Sequence, residues 1–381
     1  MKKLIALLLG FVLPGTPLAG PTVEVIASNL IVPWAIALAP DGRIFITERP
    51  GRLRVVNADG QLQVDPVITI DDVRAIGEGG LLGLDIDPDF ASNGYLYVYY
   101  TYGSPIRNKI VRLIESGGSA VIDQILLENI PGSSVHDGGR LKFGPDLKLY
   151  ATAGDATCNQ AQDDYSLGGK LLRLNSDGSV PDDNPFPDRE YPASLVLSKG
   201  HRNPQGIAWD SSGQLYETEH GPTGDCGYSG SSYDEVNIIF PGGNYGWPCC
   251  RGVVCRPNCG TPPFIDPIRY WRPASEGGEG TAAPAGAAFL NEWFYFGTLG
   301  ANFTPPPLYA RHLHGILFDM PGGTEIIDER ILFFTLYGRI RDVVTEAPPG
   351  QYLYFTNSNR DGRIEPELID PADDRVFRVS F

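Results

Sequence analysis

Five groups of short segments carry side chains whose types and spacing could do chemistry. In Ser134-Val135-His136-Asp137-Gly138-Gly139-Arg140 a histidine precedes an apolar stretch, and Gly154-Asp155 follows one strand later. A carboxylate at that remove can fix the imidazole tautomer and raise its basicity, making a general base and its orienter. The plain alternative is a solvated loop histidine. Gly200-His201-Arg202-Asn203-Pro204-Gln205-Gly206 offers a planar guanidinium and an amide suited to carboxylate and carbonyl oxygens, or merely a turn held by Asn-Pro. Glu219-His220-Gly221-Pro222, Asp234-Glu235-Val236-Asn237 and Gly242-Gly243-Asn244-Tyr245-Gly246-Trp247-Pro248 supply the carboxylates and backbone carbonyls that calcium prefers. Gly338-Arg339-Ile340-Arg341-Asp342 alternates two arginines, which on a strand point the same way and suit a polyanionic ligand or outward salt bridges. Gly77-Glu78-Gly79-Gly80 is a tight turn presenting one carboxylate.

These segments need a scaffold that brings distant loops together. One pattern recurs six times: an apolar strand, a turn built on Gly, Pro, Asp or Asn, a strand rich in Leu, Tyr and Phe, then a third apolar strand. The copies begin at Ala35, Gly80, Arg140, Gly206, Gly286 and Val343. Units that cannot bury their own faces, repeated radially, describe a propeller. The expected fold is all-β, a six-bladed β-propeller with four-stranded antiparallel blades. The surplus length falls in loops 155–168, 219–233 and 247–280. Thr22 to Ile26 and Arg375 to Phe381 read as two strands that would close the ring by pairing, which removes an exposed edge. No linker interrupts 21–381, which is read as one catalytic domain.

The chain has 381 residues and a formal charge of −16, with no basic patch interleaved with aromatics; a nucleic-acid partner is not expected. Met1-Lys2-Lys3, the apolar run Leu4 to Leu13 and small residues near Ala19 make 1–20 a secretory signal peptide, so the expected location is periplasmic or secreted. No segment is a good membrane span. Six cysteines behind such a leader favour disulfides, with 249–259 a stapled loop and the connectivity open. Walker, His-Glu-x-x-His and Gly-x-Ser-x-Gly motifs are missing, and Gly77 to Gly80 lacks the βαβ context of a dinucleotide site.

Taken in order, Pro33-Trp34-Ala35, Glu78-Gly79-Gly80-Leu81-Leu82-Gly83, His136 to Leu141, Gly154-Asp155, Gly200 to Gly206, Asp234 to Asn237, Gly243 to Pro248 and Gly338 to Asp342 resemble the soluble quinoprotein glucose and aldose sugar dehydrogenases. The resemblance implies a funnel holding pyrroloquinoline quinone (PQQ) and calcium, an aldose substrate and an external electron acceptor. By that similarity His136 is the base on the anomeric hydroxyl, Asp155 orients it and Arg202 stabilises the developing oxyanion. Asn203 contacts the quinone, as would Glu78 in its turn, and Arg339 and Arg341 pair with cofactor carboxylates. Carbonyls of Gly221 and Pro222 bind the catalytic calcium; Glu235 and Tyr245 correspond to a second, structural calcium.

Two positions depart from the family. Glu78 stands where Gln is usual, so its carboxylate would repel an anionic cofactor unless protonated or calcium-paired. Gly300 follows Thr298-Leu299 where Lys or Arg is common, so one cofactor-binding charge is either lost or replaced by Arg311. Two other readings compete: a calcium-dependent propeller lactonase, which needs a carboxylate and Asn set converging from all blades, and a non-catalytic propeller that binds a glycan or protein.

Overall fold

A computed structural model describes residues 20–156, 158–228, 233–300, 311–346, 350–364 and 366–381. The expected leader therefore lies outside the described residues except for Gly20, as does Pro349 of the sixth repeat's turn.

Among the described residues there are six four-stranded antiparallel sheets, arranged as the blades of a propeller. The inner strands are Pro33–Leu38, Leu81–Ile86, Gly138–Phe143, Pro204–Trp209, Pro284–Leu290 and Ile340–Thr345. Each begins one of the six sequence repeats. The sixth blade is completed by the start of the chain: Thr22–Ala27 pairs with Val376–Ser380, with Val23 opposite Val379. The ring is thus closed by hydrogen bonds between its two ends, as the terminal strands suggested.

The apolar alternation of the repeats becomes packing between blades. The inner strands of blades three, four and five carry Phe143, Trp209 and Phe289 at or next to their ends, and each ring meets an aromatic from the second strand of the preceding blade. Tyr97 meets Phe143, Tyr150 meets Trp209 and Tyr216 meets Phe289, edge to face at 5.0, 4.9 and 5.2 Å between centroids. Such pairs contribute about 0.5–1.5 kcal/mol each beyond the area they bury.

A second repeated device shapes the mouth of the funnel. In all six blades the pairing between the inner and second strands slips by a bulge near the start of the inner strand. A bulge bends its strand and re-aims the side chains beside it. The second strand of each blade carries a fully buried threonine near this slip: Thr47, Thr101, Thr152, Thr218, Thr298 and Thr356. Thr47 and Thr152 accept the N–H groups of Ala35 and Arg140. Thr47 and Thr218 also donate to carbonyls of the next blade, at Leu82 and Ala285.

At the hub, Arg140 of blade three and Asp342 of blade six form a fully buried ion pair at 2.8 Å. Arg140 also donates to the Gln205 carbonyl and lies over Trp34, while Asp342 accepts the Ile36 N–H. Four blades thus meet at one pair. Three disulfides tie down the long loops: Cys158–Cys226, Cys249–Cys259 and Cys250–Cys255. The last two staple 249–259 as expected; the first joins loop 155–168 to loop 219–233.

Candidate active site

The chain segments that enter the inner strands converge on one cavity of about 500 Å3, within the range of small-molecule sites. Its wall includes Glu78, His136, Arg202, Asn203, Arg339 and Arg341, together with Gly221. Asp155 stands behind His136. Pro222, Glu235 and Tyr245 are not on the wall.

His136 sits two residues before an inner strand, in a left-handed backbone conformation (φ 58°). This is an uncommon state for a residue other than glycine, held here by the surroundings. Its N–H donates to Glu78 at 3.0 Å, and its carbonyl lies against Gly154, where any Cβ would collide with it. Gly138, at φ 63°, has backbone of Thr152, Ala153 and Gly154 within 3.0 Å of where a Cβ would be. The glycines of both motifs are therefore required by close backbone approach.

The His136 Nδ1 lies 2.7 Å from Asp155 Oδ1. The other oxygen of Asp155 accepts the Trp247 indole N–H at 2.6 Å, and Asp155 itself is fully buried. A carboxylate only accepts, so Nδ1 carries the imidazole proton and Nε2 turns a lone pair outward. Trp247 belongs to a motif read from the sequence, but its bond to Asp155 comes from a loop 92 residues away.

Arg202 is buried and held on several sides. Its Nε and Nη2 lie 3.0 Å from Asp225, Nη2 donates to Thr223, and Nη1 donates to the His220 carbonyl. Burial pushes the Asp225 carboxyl up, but the Arg202 charge and hydrogen bonds outweigh it and hold the group below its ordinary value. The Asn203 Oδ1 accepts the Gly138 N–H, while its Nδ2 makes only contacts of 3.5 Å, to Glu78 and His220.

Arg339 and Arg341 converge on one buried carboxylate, Asp361, at 2.8 and 3.1 Å. Burial pushes both guanidiniums down, Arg341 to about 9, which still leaves it charged at neutral pH. Arg339 also donates to the carbonyls of Leu299 and Gly300. Arg311 does not line the cavity, although its charge bears on Arg339, whereas Arg49 and Arg363 do line it. Arg363 forms a 3.0 Å ion pair with Glu78. Burial raises the Glu78 carboxyl, yet His220, Arg363 and the His136 N–H bring it down to about 2. Since burial pushes His220 itself down to about 4, that histidine is neutral at neutral pH, and Arg363 with the backbone donor carries the effect. Glu78 is thus ionised and paired with arginine.

Asp234 organises the Gly221 loop. It accepts the Gly221 N–H at 2.9 Å, and its other oxygen takes Thr281, Ala282 and Ala283 at the entry to blade five. Glu235, the next residue, faces a separate buried cluster. Glu217 and Glu219 alternate on one strand and pair with Asn237 and Glu235 on the next. Asn237 donates to Glu217 at 3.0 Å and to Glu235 at 3.3 Å, and His201 lies 2.9 Å from Glu219. Burial, then repulsion from Glu219, pushes Glu217 and Glu235 well above the carboxylate range, and burial takes Glu219 to about 8. Glu217 Oε1 and Asn237 Oδ1 are buried with no hydrogen-bond partner. Converging oxygens with unsatisfied lone pairs fit a hard cation such as calcium. The Tyr245 hydroxyl is committed to backbone, donating to Ile238 and accepting from Phe240, and its ring stacks on His201 beside the cluster.

The cavity also fits the expected quinone cofactor. Its wall combines several arginines with a weakly held Asn203 amide and His220, whose buried Nε2 has no hydrogen-bond partner. A six-bladed propeller with a carboxylate-oriented histidine beside an arginine-lined funnel defines a class of propeller with a polar, small-molecule-sized site at its hub. The chain belongs to the Glucose / Sorbosone dehydrogenase family, whose model matches residues 30–366. It is 32% identical to the aldose sugar dehydrogenase of Escherichia coli (strain K12) over 368 residues, covering 90% of this chain and 91% of that one. Among solved structures it resembles an oxidoreductase (glucose dehydrogenase) from Thermus thermophilus, with a TM-score of 0.80, 39% identity, and 94% and 100% of the two chains covered. The PQQ-bound aldose sugar dehydrogenase of Streptomyces coelicolor matches with a TM-score of 0.77 and 32% identity, covering 96% of this chain and 99% of that one.

Proposed function

We propose that this chain is a pyrroloquinoline quinone- and calcium-dependent aldose dehydrogenase that oxidises the anomeric hydroxyl to a lactone. The observation that carries this is the His136–Asp155 pair at 2.7 Å on the wall of the arginine-lined cavity. His136 Nε2 takes the hydroxyl proton as general base, and Asp155 and Trp247 keep the imidazole in the tautomer that leaves Nε2 free. Arg202 donates to the oxygen as negative charge develops there. Arg339 and Arg341 hold the cofactor carboxylates, with Asn203, Glu78 and His220 around its rim. When bound, the quinone would supply a two-electron acceptor, and calcium, for which the carbonyls of Gly221 on the wall and Pro222 behind it are the candidate ligands, would supply a Lewis acid. Glu235, with Glu217 and Asn237, holds a second, structural calcium.

The leader at 1–20 would place the mature enzyme in the periplasm or outside the cell, a reading supported by the three disulfides. No helix among the described residues is long and apolar enough to cross a membrane. Electrons then leave to an external acceptor.

The test starts from cofactor-free protein. Quinone titrated with and without calcium should quench tryptophan fluorescence saturably, and glucose or other aldoses should then reduce a dye. His136→Ala should abolish dye reduction while leaving quinone binding in place. A folded protein that binds no quinone at micromolar concentration overturns the proposal.

A further inference from the structure

Asp225 lies in loop 219–233, which accounts for part of the chain's surplus length, and the dehydrogenase chemistry above gives it no role. Its Oδ2 is 3.9 Å from His136 Nε2, on the side of the imidazole away from Asp155. The same oxygen pairs with Arg202 at 3.0 Å, so it sits beside both groups that would face the anomeric hydroxyl, just outside the wall formed by His136, Arg202 and Thr223 and with its side chain 26% exposed. The neighbouring Cys226 is bonded to Cys158, three residues past Asp155. One disulfide therefore joins the loop that orients the base to the loop that carries Asp225. The Oδ1 accepts the Thr223 N–H at 2.9 Å, which fixes the carboxylate from its own loop.

The separation of 3.9 Å is too long for a hydrogen bond between the two groups. Both atoms are acceptors: Nε2 because Nδ1 holds the proton, and the Asp225 oxygen because its carboxyl is held ionised by Arg202. A single hydroxyl has one proton and cannot donate to both. Two donors on adjacent carbons can, one to each. The Arg202 charge is meanwhile partly neutralised by Asp225, so this corner does not attract an anion.

Resting on the dehydrogenase reading, we propose that Asp225 is a specificity-determining residue that reads the substituent on the carbon next to the anomeric centre, selecting aldoses with a hydrogen-bond donor there, hydroxyl or ammonium, over 2-deoxy sugars. The anomeric hydroxyl donates to His136 and its neighbour to Asp225. The disulfide holds the two acceptors at the spacing of a vicinal pair.

The experiment compares kcat/KM of the quinone-loaded enzyme for glucose, 2-amino-2-deoxyglucose and 2-deoxyglucose. The wild type should use 2-deoxyglucose about tenfold to a hundredfold less well than glucose, the scale of losing a hydrogen bond to a charged group. The amino sugar should match or exceed glucose. In Asp225→Ala the preference for glucose over 2-deoxyglucose should collapse, and the ammonium should become the poorest substrate because Arg202 is unmasked. Asp225→Asn should keep part of the preference for hydroxyl and lose that for ammonium. The pair Cys158→Ser with Cys226→Ser, which frees the loop, should relax the same ratios. Quinone affinity, read by fluorescence in every variant, separates a change in sugar preference from a change in cofactor binding. Equal use of glucose and 2-deoxyglucose by the wild type, or ratios unchanged in both Asp225 variants, overturns the role of Asp225 alone. Quinone-loaded protein that oxidises none of these sugars overturns the dehydrogenase reading and this assignment with it.

Discussion

The Trp247 indole N–H donates at 2.6 Å to Oδ2 of Asp155, the oxygen that His136 leaves free. Each carboxylate oxygen therefore has one partner, and the imidazole tautomer is set from two loops. Asp155→Asn should turn an NH2 toward Nδ1 or break the pair, favouring the tautomer with Nε2 protonated. The expected result is a fall in kcat of about 10²–10⁴-fold with quinone affinity unchanged. Trp247→Phe keeps the ring and removes the donor, and should cost less. Steady-state kinetics with separate cofactor titration checks both.

Glu78 is held at about 2 by His220, which is protonated in that acid range, by Arg363 and by the His136 N–H, against burial. The folded state thus binds its proton less readily than the unfolded chain. The stability this contributes is complete above the ordinary value of 4.5 and is lost as pH falls toward 2. Glu78→Gln should flatten that part of the acid-denaturation profile. It should also tighten quinone binding at low salt, by removing a negative charge beside an anionic cofactor. Urea denaturation between pH 5 and 2 (about the range of the two values) reads the first effect, and fluorescence titration the second.

Glu217 Oε1 and Asn237 Oδ1, buried and unpartnered, predict a cation. At a fixed pH near 8, calcium should raise the unfolding midpoint and a chelator should lower it. At a hundredfold excess over Kd the gain is about 2.7 kcal/mol. Glu217→Gln should weaken this calcium response while leaving the fold intact. Calorimetry with and without chelator checks it, and an unchanged midpoint counts against the site.

The buried Arg140–Asp342 pair holds four blades together, and breaking it from one side leaves a charge with no partner. Arg140→Ala should destabilise the protein by about 3–5 kcal/mol. Replacing both residues by apolar groups of similar volume should cost less than either single change. A double-mutant cycle in denaturant distinguishes the two.

Much of the architecture was legible in the chain itself. The repeats beginning at Ala35, Gly80, Arg140, Gly206, Gly286 and Val343 each mark an inner strand, because a strand buried on both faces leaves a continuous apolar run. Ring closure through Val23 and Val379 followed from two orphan strands at the ends. The outer strands were harder to read: Ile68–Thr69 and Arg269–Trp271 are short and pair on one side only, so their composition is that of loops. The buried threonines from Thr47 to Thr356 were available as a sixfold signal and were missed, since one polar residue within an apolar strand reads as noise.

His136, Asp155, Arg202, Asn203, Arg339 and Arg341 could be named from their motifs, because glycines needed for close backbone approach and side chains needed for charge leave a local trace. The partners that tune them leave none. Arg363 meets Glu78 across 285 positions, Asp361 gathers Arg339 and Arg341 from 20 or more residues away, and Asp225 reaches His136 from a loop pinned by Cys158–Cys226. Local sequence determined which residues enter each blade and with what chemistry. Closing the ring decided which charges stand together, because electrostatic pairing depends on distance in space and six separate blade entries share one funnel.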